Sequence, residues 1–77
     1  MTVFEKVAKV VADQVGIDIE DISEESDLED DLGCDSFDVV EIIMKLEDDL
    51  GKEIPDDEFI KINTIGDIVK FFTGGTD

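Results

Sequence analysis

Apolar residues recur along this chain in steps of three and four, broken once by a long stretch in which they do not. Val3, Phe4, Val7, Val10, Val11 and Val15 form the first stripe, a spacing that turns one face of a helix toward a core. Thr2 and Glu5 stand where a capping box opens such a helix, and Gly16 stands where it ends. Valine is a weak helix former, so burial of the stripe rather than propensity must hold this helix. A second stripe, Val39, Ile43, Leu46 and Leu50, predicts a helix over 36–50, with Asp35 as N-cap and Gly51 as stop. Ile54-Pro55-Asp56 then opens a short segment over about 56–61 whose Phe59 and Ile62 turn inward. Thr64 caps a last helix with Asp67 at its third position and Ile65, Ile68, Val69 and Phe72 on its apolar side.

Between the first two helices, residues 17–35 lose the helical period and become acidic, with Ile19, Ile22, Leu28 and Leu32 spaced as apolar anchors. This reads as a long ordered loop, with a short helical turn over 29–32, that delivers the start of the second long helix while closing one end of a bundle. The predicted fold is all-α: a four-helix bundle with three main helices, one short helix and a long loop between the first two. One domain over 1–73 is expected, followed by a flexible tail over 74–77.

The helix over 36–50 carries a second stripe. At 100° per residue, Phe37, Glu41, Met44 and Asp48 fall on a shoulder well away from the core positions, with Val40 and Glu47 between the two. The residues alone leave two readings open. Phe37 and Met44 are the desolvated contacts of a docking face whose carboxylates meet lysine or arginine on a partner, or they touch the loop and the carboxylates are merely solvated.

Charge narrows the choice of partner. The chain of 77 residues has 23 acidic residues against six lysines, a formal net charge of −17, which excludes nucleic acid and anionic membrane surfaces and favours basic protein surfaces. No basic leader and no long apolar run are present, so a cytoplasmic protein without membrane insertion is expected. There is no histidine and only one cysteine, Cys34. Ser-His and Cys-His dyads are therefore excluded, as is an internal disulfide. Asp27, Glu29 and Asp31 alternate like the first ligands of an EF-hand, with Asp38 at the twelfth position. Leu32 occupies the turn position where glycine is needed, so no specific metal site is expected.

What remains is Ser36, presented at the start of the second long helix near unpaired backbone N–H groups. An ordinary helix-start serine is common there, and periodicity alone does not separate the two cases. The run Asp35-Ser36-Phe37-Asp38-Val39-Val40-Glu41-Ile42-Ile43-Met44 resembles the attachment site and recognition helix of acyl carrier proteins, in which the serine of a D-S-L motif receives 4'-phosphopantetheine. Leu46-Glu47, Ile54-Pro55-Asp56, Phe59 and the closing helix over 64–72 extend the resemblance over nearly the whole chain. Phe37 departs from it, standing where the family most often has leucine.

The resemblance implies a carrier and not an enzyme. Acyl groups would be held as thioesters on an arm attached at Ser36, with Asp35 as motif residue and helix cap. It implies docking through Phe37, Asp38, Val40, Glu41, Met44, Glu47 and Asp48, and an acyl-chain pocket formed by Ile43, Leu46, Ile54, Phe59, Ile62 and Ile68. The implied partners are a phosphopantetheinyl transferase, fatty acid synthesis enzymes and acyltransferases with basic docking surfaces, met by a monomeric carrier. Fatty acid synthesis is the leading pathway. A specialised carrier for polyketide, lipid or amino-acyl building blocks, and a non-carrier acidic interaction or calcium-binding module, are the alternatives.

Overall fold

Each long helix begins where a side chain can satisfy its first backbone donors. The Thr2 hydroxyl accepts the Glu5 N–H at 3.1 Å while the Glu5 carboxylate accepts the Thr2 N–H at 2.9 Å, and Thr64 and Asp67 repeat the arrangement at 3.2 and 3.0 Å. The bond from the Thr2 backbone, then that to its hydroxyl, holds the Glu5 carboxyl below its ordinary range. A lowered carboxylate pKa favours the folded state above the unfolded value and is lost as pH falls through the folded one, so this cap is intact at neutral pH. The computed structural model describes residues 2–74. It contains α1 (Val3–Val15), α2 (Ser36–Leu50), α3 (Asp56–Phe59) and α4 (Ile65–Thr73).

α1 is the middle of the bundle and packs against both α2 and α4. Its position explains a difference from the predicted stripe. Val7, Ala8 and Val11 are fully buried and Ala12 nearly so; a one-sided stripe leaves the two alanines out. A helix covered on two sides needs a wider buried arc, and small side chains at its edge let the neighbour approach. α2 differs in the same way. It buries Ile42, Ile43 and Leu46, while Val39 and Leu50 are only half-buried. The face of α2 is turned toward α1, which brings in Ile42.

The connection over 17–35 is ordered by backbone bonds to the far side of the molecule. The Leu28 N–H donates to Asn63 O at 2.9 Å, Ile65 N–H to Ser26 O at 3.1 Å, and Gly66 N–H to Glu24 O at 2.8 Å. A Cβ on residue 66 would lie 3.0 Å from Glu24 O, so that close approach favours glycine. Ile22 and Leu28 are buried anchors as expected, and Leu32 is half-buried. Ile19 is not an anchor: it is 45% exposed and belongs to a short 3-10 turn over Ile19–Asp21 that the sequence pattern does not reveal. The expected turn over 29–32 forms through bonds from the Asp31 and Leu32 N–H groups to Asp27 O, without becoming a helix.

α3 is shorter than predicted, ending at Phe59, and none of its residues is fully buried. Its ends are held instead. The Ile54 N–H before it donates to the Glu47 carboxylate at 2.7 Å, and Asn63 after it is bonded to Leu28. α4 closes at Gly74 in the left-handed conformation (φ 76°), so Gly74 belongs to the helix end rather than to a tail. The rest of the expected tail, 75–77, lies outside the described residues, as does Met1. No helix among the described residues is long and apolar enough to cross a membrane.

Candidate functional site

The start of α2 is set by three consecutive residues with three different environments. Gly33 takes φ 70°, a backbone conformation costly for any residue with a Cβ. That turn drops Cys34 into the core, 4% exposed, with its N–H donating to Leu28 O at 2.8 Å. Asp35 then caps the helix. Its Oδ1 accepts the Asp38 N–H at 2.8 Å, and Asp38 Oδ2 accepts the Asp35 N–H at 3.3 Å. Ser36 follows as the first helical residue, exposed, and its hydroxyl makes no hydrogen bond among the described residues. A buried residue, a cap and a free primary alcohol thus occupy successive positions.

Cys34 is no competitor for chemistry at this site. Burial pushes its thiol pKa up, and the nearby Asp38 and Asp35 carboxylates push the same way, so at neutral pH it stays a protonated, weakly nucleophilic group. Among the described residues no group of three or more His, Cys, Asp or Glu side chains is placed to hold a metal ion.

Of the expected docking residues, Phe37 is 77% exposed, Met44 59% and Val40 40%, three large apolar side chains open to water along one side of α2. Glu41 and Asp48 are exposed beside them, and Asp38 and Glu47 are half-buried. Glu47 also serves inside the molecule, through its bond to the Ile54 N–H. Two residues of this surface escaped the sequence reading. Ile60, just past α3, is 78% exposed; its periodicity matched no helix long enough to show a face. Gln14 of α1 bonds Asp38 and Glu41 across the α1–α2 contact, a long-range pairing with no local signal.

The expected acyl-pocket residues divide. Leu46 and Ile68 are fully buried in the core, and Ile43 is 3% exposed. Ile54, Phe59 and Ile62 are partly buried and pack against that core. Two open clefts border Phe59. One, of about 220 Å³, lies between α2 and α3, with Ile43, Met44, Ile54 and Phe59 in its walls. The other, of about 260 Å³, is lined by Ser36, Val39, Phe59, Ile60 and Ile62 together with Glu29 and Asn63. Leu46 and Ile68 line neither.

Comparison with known proteins agrees with this geometry. The family described as "Phosphopantetheine attachment site" matches residues 5–72, a span that includes the whole α2 start. The acyl carrier protein from Enterococcus faecalis is 34% identical in sequence and superposes with a TM-score of 0.80, over 99% of this chain and 100% of that one. A protein from Mycobacterium tuberculosis described as an acyl carrier protein is 26% identical with a TM-score of 0.87, over 95% and 97% of the two chains. The chain therefore belongs to the acyl carrier proteins, the family that bears 4'-phosphopantetheine and hands its cargo to biosynthetic enzymes without being an enzyme itself.

Proposed function

We propose that Ser36 is the attachment residue and that this protein carries acyl groups in fatty acid synthesis as a monomer. The observation that carries the reading is the Ser36 hydroxyl: exposed, unbonded, first in α2 and lining a mostly apolar cleft. These residues fit the group. A phosphodiester at a helix start is favoured by about 0.3–1 kcal/mol, and the carboxylates of the cap, Asp35 and Asp38, already accept backbone N–H bonds. In the transfer, the Ser36 Oγ–P bond forms as the pyrophosphate bond of coenzyme A breaks, the hydroxyl proton being lost and 3',5'-adenosine bisphosphate leaving. When bound, 4'-phosphopantetheine supplies a terminal thiol that carries acyl groups as thioesters.

The chain's own residues then bind, steer and shelter. Phe37, Val40 and Met44 offer apolar contacts to a partner, while Asp38, Glu41, Glu47 and Asp48 draw its basic residues and make docking salt-sensitive. Glu41→Lys is expected to raise the KM of a partner enzyme for this protein by about three- to tenfold at low salt; an unchanged KM removes Glu41 from the face. Ile43, Ile54, Phe59 and Ile62 give an acyl chain an apolar lodging, worth at most about 0.8 kcal/mol per methylene buried. The half-buried α3 is the wall easiest to displace, whereas Leu46 and Ile68 lie behind the clefts and become accessible only if the core opens. Amide exchange at Ile54, Phe59 and Ile62 should slow when the protein carries an octanoyl group; identical exchange with and without it rules out this lodging.

The pathway is tested with the phosphopantetheinylated protein, a malonyl donor and the enzymes of fatty acid elongation. Stepwise growth of the bound chain supports fatty acid synthesis. Loading without growth assigns the protein to a specialised pathway, and Phe37→Leu in the same assay shows whether the departure at that position is the cause.

A further inference from the structure

Gln14, half-buried on the last turn of α1, reaches three side chains of α2 with one amide. Its Nε2 donates to Glu41 Oε2 at 2.8 Å and to Asp38 Oδ1 at 3.3 Å, and its Oε1 accepts from Lys45 Nζ at 3.0 Å. Asp38, Glu41 and Lys45 are spaced by three and four residues and so share the edge of α2 that faces α1. The side chain is neutral, yet it stands among two acids and a base.

The arrangement is informative because a simpler one was available. Lys45 stands four residues after Glu41, the order in which a glutamate and a lysine on one helix pair favourably. In the structure the ammonium bonds the amide oxygen instead, and the only ion pair within 4.0 Å among the described residues joins Lys61 and Glu58. An amide is suited to this insertion. It donates to carboxylates and accepts from an ammonium while adding no charge of its own.

We propose that Gln14 is a positioning residue for docking: it holds the Lys45 ammonium on its own amide oxygen, so that Glu41 and Asp38 meet the cations of a basic partner without a direct ion pair to Lys45. The proposal rests on the carrier reading above. Removing the amide leaves Lys45 free to pair with Glu41 and to compete with the partner for it. The loss then appears in binding rather than in turnover.

The experiment is a cycle of Gln14→Met and Lys45→Met, with KM and kcat measured for phosphopantetheine transfer from coenzyme A by a transferase. Gln14→Met should raise KM for this protein about two- to fivefold with kcat within about twofold. In the Lys45→Met background the same change should raise KM clearly less, because no lysine remains to capture Glu41. An equal rise in both backgrounds means that Gln14 only ties α1 to α2, and no rise in the parent background means that Lys45 never competes; either overturns the proposal. Gln14→Ala is run alongside, with thermal melts of every variant, so that a misfolded methionine variant does not decide the matter. A parent protein that gains no phosphopantetheine overturns the carrier reading and this proposal together, whereas a modified parent with an unchanged cycle overturns this proposal alone.

Discussion

Ser36→Ala is expected to gain no mass when incubated with coenzyme A and a broad-specificity phosphopantetheinyl transferase, while the parent gains one phosphopantetheine. Only Ser36 offers an exposed hydroxyl at the start of α2 beside the apolar cleft. Its removal deletes the proposed nucleophile without touching what positions it. Cys34 cannot substitute, being buried with a raised thiol pKa. The fold should hardly notice the change. The helix start is bonded through Asp35 and Asp38, so alanine at an exposed first helical position should shift stability by no more than about 0.5 kcal/mol. Intact-mass spectrometry and a thermal melt on the same samples check both halves. Modification of the mutant would assign the attachment to another residue; a large drop in melting temperature would show that the serine was structural.

Ile42→Ala should have the opposite profile, an intact site on a failing fold. Ile42 is fully buried on the side of α2 that packs against α1. Truncating a buried isoleucine costs about 2–5 kcal/mol, from lost transfer energy and from the cavity left behind. A domain of this length has roughly 4–12 kcal/mol in total at the usual 0.05–0.15 kcal/mol per residue. The net charge of −17 adds self-repulsion that lowers it further. The substitution therefore removes a large share of the stability, and the urea midpoint should fall steeply. Val40→Ala, on the same helix but 40% exposed, is the control and should cost below about 1 kcal/mol. Equal losses at the two positions would mean that α2 is rotated from the orientation described, with its docking face and its core face redrawn.

The contrast between these two residues separates what was legible in the chain from what was not. Val40 and Ile42 are both apolar, both β-branched and both in the middle of α2, and the period of the stripe assigned Ile42 to neither face. Its burial depends on the direction from which α1 arrives, which no local pattern contains. Ala8 and Ala12 went unread for the same reason. Gln14 is the extreme case, since every side-chain bond it makes is to α2, more than a loop's length away in sequence. α3 was overextended by two residues because its end is governed by the bonds at Ile54 and Asn63, not by a helix signal of its own.

Local signals in the chain set the four helices and their order, the boundaries of α1 and α2, and the position of Ser36 as the first residue of α2. The signals for these are short-range. A Thr2–Glu5 or Thr64–Asp67 cap, a glycine at a left-handed turn and an apolar step of three or four residues act within one or two turns of the chain. Packing of the closed chain decides which edge of each stripe is buried, that Phe37, Val40, Met44 and Ile60 stay in water, that two clefts open beside Phe59, and that Glu47 and Gln14 are bonded across elements. Those outcomes follow from how whole helices pack and from which backbone groups the long loop must satisfy. Such energies belong to pairs of distant residues, and a linear pattern carries them only after the chain has closed on itself.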